Sequence, residues 1–180
     1  MHTIIQEFTK NGKTYQIRTA EHQDAKELSE VRLQIDGETQ YLDRERGEAF
    51  IDESGFEELI ALDSENEKNL FLVALADGRI VGFSRCEGNS LKRFAHKAEF
   101  GVGILKEYWG YGIGKNLLNE TIAWSEASGI RKITLNVLQQ NSKAIALYQK
   151  LGFRKEGLLE NDKQLADGQF HHTVIMGRFN

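Results

Sequence analysis

The chain has 180 residues, 40% hydrophobic and 28% charged, with a net charge of -4. That length supports one hydrophobic core, and no apolar run approaches the roughly 20 residues a membrane helix needs. The acidic balance argues against general nucleic-acid binding.

No proline occurs, so chain reversals fall to Gly, Asn and Asp. Asn11-Gly12, between strands Thr3 to Thr9 and Thr14 to Arg18, reads as a tight hairpin turn, as does Asp77-Gly78 between Leu70 to Ala76 and Arg79 to Arg85. Between these hairpins, Ala25, Leu28, Val31 and Leu33 give Glu21 to Ile35 a helical period, and Ser54 is placed to cap a second helix carrying Phe56, Leu59, Ile60 and Leu62. Ala98 to Leu105 reads as a strand interrupted by Gly101 and Gly103, residues that weaken a strand unless something approaches its backbone closely.

A Gly-rich turn follows, then a helix from Gly112 to Ala127, a strand from Lys132 to Val137 and a helix from Ser142 to Leu151, with Asn141 and Ser142 as caps and Gly152 as its stop. Asp167-Gly168 introduces a last strand, Gln169 to Arg178. The order predicts a single mixed α/β (α+β) domain over residues 1–180, with a central sheet flanked by helices. Its N-terminal half is antiparallel, its C-terminal half runs β-α-β-α-β-β, and residues 3–18 form an extra N-terminal hairpin. The opening MHTIIQEFTK has no secretion-signal pattern, and Cys86 is the only cysteine, so a cytoplasmic location is expected.

The segment Tyr108-Trp109-Gly110-Tyr111-Gly112-Ile113-Gly114-Lys115 lies between a strand and a helix. Glycines there let backbone amides converge on an anion, and the helix start adds a favourable dipole, which suits a phosphate or diphosphate. A nucleoside-triphosphate P-loop is excluded because Gly114-Lys115 is followed by Asn116 rather than Ser or Thr. A dinucleotide GxGxxG is excluded because its third glycine is Leu117 counted from Gly112, and Lys115 counted from Gly110.

The run from Ala98 to Phe153 resembles the GNAT superfamily of acyl-CoA-dependent N-acetyltransferases. Trp109-Gly110-Tyr111-Gly112-Ile113-Gly114 matches its Gln/Arg-x-x-Gly-x-Gly/Ala motif except at Trp109, and Asn141-x-x-Ala144-x-x-x-Tyr148-x-x-x-Gly152-Phe153 follows at the expected distance. The resemblance implies a GNAT-type sheet and acetyl-CoA as acetyl donor, with no metal. It implies that Trp109, Gly110, Tyr111, Gly112, Ile113, Gly114 and Lys115 grip the diphosphate, and that Val102, Gly103 and Ile104 pair with the pantetheine arm. Asn141 then binds that arm, caps its helix, or does both. Tyr148 either protonates the departing thiolate or packs in the core, and Glu99 is either the base that deprotonates the amine or a surface carboxylate.

His96 is a weaker base candidate. His171 and His172 on the last strand are placed to line the acceptor side, but as strand neighbours they point to opposite faces, so they cannot both line one pocket or form a metal pair; otherwise they are surface histidines. Cys86 reads as a buried small hydrophobe rather than an acyl carrier, which makes transfer direct. From Asp36 to Lys68 there are twelve acidic against three basic residues, and Glu38, Asp43, Glu45 and Glu48 are placed to attract a cationic amine. The expected acceptor is a small-molecule amine, a polyamine or a protein N-terminus, in an enzyme that could work as a homodimer. The alternative is a non-catalytic acyl-CoA-binding module.

Overall fold

The computed structural model describes residues 4–180. Two strands open the chain, β1 (Ile5–Lys10) and β2 (Lys13–Thr19). Asn11 and Gly12 between them both take positive φ, 51° and 77°, the conformation a two-residue hairpin turn requires. Thr3, placed at the start of the first strand by its sequence pattern, lies outside the described residues.

Helix α1 (Ala25–Glu38) begins four residues later than its periodicity suggests, because Glu21 and Asp24 form a reciprocal cap around a short 3-10 turn at His22–Asp24. Helix α2 (Glu53–Glu65) is capped by Asp52, not Ser54: Asp52 Oδ1 accepts from the Gly55 amide at 2.8 Å, and Ser54 falls inside the first turn. There follow β3 (Leu70–Ala76), β4 (Arg79–Gly88) and β5 (Lys97–Ile104), then α3 (Ile113–Ala127), β6 (Lys132–Leu138), α4 (Ser142–Lys150), β7 (Arg154–Gln164) and β8 (Phe170–Phe179).

The eight strands form one mixed sheet in the order β1-β2-β3-β4-β5-β6-β8-β7. Every neighbouring pair is antiparallel except β5 and β6, which are joined through α3 and must therefore run parallel. β3 is buried on both faces, consistent with its uninterrupted apolar sequence. Alternate residues of β5 sort the layers. A Cβ on Gly103 would meet Ile35 of α1, whereas Ile104 faces Gly114 of α3, so α1 and α3 lie on opposite faces. Leu72, Ile80, Leu105, Leu117 and Leu118 fill the interior, each stabilising the fold by about 1.5–3 kcal/mol through burial.

Candidate active site

The site begins where the sheet comes apart. β5 and β6 pair over only three positions, Lys97 with Lys132, Ala98 with Ile133 and Glu99 with Thr134. Beyond Glu99, β5 continues paired with β4 alone and β6 with β8 alone. The Leu105 amide donates to Val81 of β4 at 2.9 Å; by the alternation of an antiparallel ladder, the backbone groups of Val102 and Ile104 then point away from β4, into the gap. Trp109 closes part of it, its indole Nε1–H donating to the Ile104 carbonyl at 2.9 Å.

Both strands deliver the chain to helix starts at the same end of the sheet, the end where open parallel sheets receive ligands. After β5, Gly110 and Gly112 adopt φ of 87° and 77°, open to glycine at little cost, and Gly112 is the N-cap of α3. The first intrahelical bond runs from the Asn116 amide to the Gly112 carbonyl, 2.9 Å. The amides of Ile113, Gly114 and Lys115 thus have no partner within the helix, the arrangement that lets a helix start receive an anion. The turn is braced by Tyr108, whose buried ring sends its hydroxyl to Asp77 at 2.9 Å.

After β6, Asn141 caps α4, its Oδ1 accepting from the Ala144 amide at 3.4 Å. In the last turn of that helix, the ring of Tyr148 packs on Phe153 with centroids 6.0 Å apart. Its ring is partly buried against the core, and its hydroxyl has no hydrogen-bond partner among the described residues. Burial pushes its pKa up to about 12, which keeps the phenol protonated and able to donate through the neutral range.

On the α1 side of β5, Glu99 is exposed and stands opposite Glu87 of β4. Gly101, next on that face, has nothing within 4 Å of the place a Cβ would occupy. Gly103 is closed over by Ile35 and Leu42. The acidic segment is less free than its sequence suggests. Glu38 accepts from the Lys106 amide at 2.6 Å, Asp36 is bound by Arg44, and Asp43 is paired with Lys163 of β7. Glu45 and Glu48 are exposed. The Asp43–Lys163 pair ties the loop after α1 to the β7–β8 hairpin, a contact no local sequence pattern could reveal.

Residues 29–153 match the model of the acetyltransferase (GNAT) family. The chain belongs to the GNAT family of acetyltransferases. Among its relatives are the ribosomal protein bS18 alanine N-acetyltransferase of Haemophilus influenzae, 29% identical over 63% of this chain and 75% of that one, and the spermidine N(1)-acetyltransferase of Vibrio cholerae, 33% identical over 53% and 54%. Among solved structures, a GNAT acetyltransferase from Streptococcus pneumoniae superposes with a TM-score of 0.89, at 31% identity over 92% of this chain and 99% of that one. The Salmonella typhimurium acetyltransferase yncA, solved with acetyl-CoA, gives 0.80 at 19% identity over 92% and 93%, a likeness of fold.

As a GNAT acetyltransferase the chain uses acetyl-CoA as its acetyl donor, and the open strand edge and free amides fit an extended arm ending in a diphosphate. Of the other sequence candidates, His96 is set apart from this end of the sheet, whereas His172 lies at it, its carbonyl accepting from the Gln139 amide at 3.0 Å. His96 precedes β5 at its opposite end, where its carbonyl accepts from the Arg131 and Lys132 amides. His172 Nδ1 accepts from the Asn161 amide at 2.8 Å, while His171 on the other face lies 3.6 Å from Asp167. Cys86 is buried, and burial, with the nearby Glu99 charge, pushes its thiol up to about 12, far from a nucleophilic thiolate. Among the described residues no group of three or more His, Cys, Asp or Glu could hold a metal ion, and no helix is long and apolar enough to cross a membrane.

Proposed function

We propose that this GNAT enzyme transfers an acetyl group from acetyl-CoA directly to a primary amine, borne by a small molecule, a polyamine or a protein N-terminus, within a ternary complex. The observation that carries the reading is the divergence of β5 from β6 after Glu99, with two helix starts at the open end. Relatives that acetylate a ribosomal protein's alanine and spermidine support an amine as acceptor. The single cysteine, which can form no internal disulfide, supports work in the cytoplasm.

In this reading the amides of Ile113, Gly114 and Lys115 hold the diphosphate, with Trp109, Gly110, Tyr111 and Gly112 shaping the turn. Val102 and Ile104 offer backbone groups to the pantetheine arm and the thioester oxygen, with Gly103 between them. An amide donor of that kind lowers the barrier by about 3 kcal/mol. Asn141 approaches the arm from α4 with the amide nitrogen that its capping role leaves over. Glu99, directly or through water, accepts the proton of the incoming ammonium, freeing the lone pair that attacks the carbonyl carbon. As the C–N bond forms and the C–S bond breaks, Tyr148 gives its proton to the departing sulfur, and the proton still carried by the new amide nitrogen passes to solvent, from which the phenol is reprotonated.

The test is thiol release from acetyl-CoA with spermidine, free amino acids and N-terminal peptides as acceptors. Turnover with at least one is expected. A protein that binds acetyl-CoA yet acetylates none of them refutes the reading.

A further inference from the structure

The β1–β2 hairpin lies outside the residues that match the family, yet its far end reaches the phosphate turn. The two-residue turn at Asn11-Gly12 sets Lys10 directly opposite Lys13. Two ammonium groups so placed repel each other unless each finds its own partner. Lys13 Nζ bonds Asp77 at 2.7 Å and lies over the rings of Tyr108 and Tyr111, 5.2 and 5.8 Å from their centroids.

Lys10 goes to the turn instead. Its Nζ stands 3.8 Å, and its Cδ 3.5 Å, from the point a Cβ on Gly112 would occupy. Among the described residues no carboxylate pairs with it. The approach is fixed by packing. Tyr15, also on the hairpin, is buried, stacks on Phe8 at 5.5 Å, and accepts a hydrogen bond from Asn116 Nδ2 of α3 at 2.6 Å. The hairpin is thereby fastened to the first turn of the helix whose free amides face the anion. An uncompensated ammonium there adds a full charge to the roughly half charge of the helix start.

We propose that Lys10 is a phosphate-binding residue of the acetyl-CoA site, which makes the N-terminal hairpin a working part of that site. The chemistry it recognises is a phosphate of the donor, either the diphosphate or the ribose 3′-phosphate. The proposal rests on the reading of residues 109–115 as the diphosphate grip.

Calorimetric titration of wild type, Lys10→Ala, Lys10→Arg and Gly114→Asp with acetyl-CoA and with its 3′-dephospho form tests both levels. Lys10→Ala is expected to weaken acetyl-CoA binding about tenfold or more, the size of one charge-assisted contact, and to flatten the dependence of Kd on salt. Lys10→Arg restores both. An equal loss with the dephospho form assigns the contact to the diphosphate, and a loss confined to the full donor assigns it to the 3′-phosphate. Lys10→Ala protein that binds both donors with wild-type Kd and salt dependence overturns the proposal. If Gly114→Asp, which puts a carboxylate on the turn, also leaves binding intact, the underlying reading of the turn falls as well; if only Gly114→Asp loses binding, that reading stands and the hairpin is mere packing.

Discussion

Gly101→Val should move stability and activity in opposite directions. The glycine sits in the body of β5 with no atom within 4 Å of its Cβ position and no positive φ. The added isopropyl group is therefore rooted in open space. Glycine in a strand interior costs roughly 0.5–1 kcal/mol in chain entropy, and valine suits a pleated strand better, so the variant should gain about 1 kcal/mol. For a chain of this length that raises Tm by roughly 2–4 °C. The same isopropyl group, however, projects on the α1 face between Glu99 and Gly103, where the acceptor nitrogen must come within about 3–3.5 Å of the thioester carbon. Thiol release should fall by about 100-fold or more, with acetyl-CoA affinity retained because the turn at residues 109–115 is untouched. Thermal unfolding, initial rates and a donor titration settle it. A variant that melts lower, or one that keeps wild-type turnover, shows that the space over Gly101 is not the acceptor's.

Tyr148→Phe is expected to lower kcat about 100-fold, as loss of a general acid does, with both KM values nearly unchanged. Because burial raises the phenol to about 12, the acid form persists as pH rises through the neutral and mildly alkaline range; a wild-type kcat that falls near pH 9, with the fall absent in Tyr148→Phe, refutes that upward shift, and an unchanged kcat in Tyr148→Phe refutes the role as acid. Glu99→Gln should reduce kcat/KM about 100-fold at neutral pH, and the deficit should shrink as pH approaches the acceptor's own pKa, where amines arrive already neutral. A pH-independent deficit points to a structural role. Asp63→Ala addresses stability alone. Asp63 is buried and accepts from Arg85 at 2.7 and 2.8 Å and from Asn69 at 2.9 Å, so its removal leaves the half-buried guanidinium only its longer contact with Glu87 at 3.8 Å. We expect a loss of about 3 kcal/mol and a Tm lower by roughly 6–12 °C, measured by calorimetry; a fall of less than about 2 °C refutes the value placed on the pair.

Much of this architecture is written locally in the chain. Asn11-Gly12 and Asp77-Gly78 adopt the positive φ values that such pairs favour, and β3 keeps the bounds Leu70–Ala76 that its apolar run implies. The glycine turn before α3 and the Asn141 cap are likewise legible, because each depends on what neighbouring residues allow the backbone to do. Even here the choice between adjacent candidates can escape a sequence reading. Asp52 and Ser54 are both competent caps, and only the chain direction entering α2 selects Asp52.

Tertiary structure decided the rest. Gly101 and Gly103 mark β5 as unusual in sequence, but nothing in its residues or those of β6 says that pairing stops at Glu99. The acidity of residues 36–68 suggests a free cation trap, yet Asp43 is held by Lys163 and Glu38 by the Lys106 amide, partners 120 and 68 positions away. Lys10 is one lysine among many until the hairpin folds against Gly112. Periodicity and turn chemistry report interactions between residues a few positions apart. Coulomb attraction and hydrogen bonding act through a few ångströms of space, and which distant residues come that close is settled only when the sheet assembles.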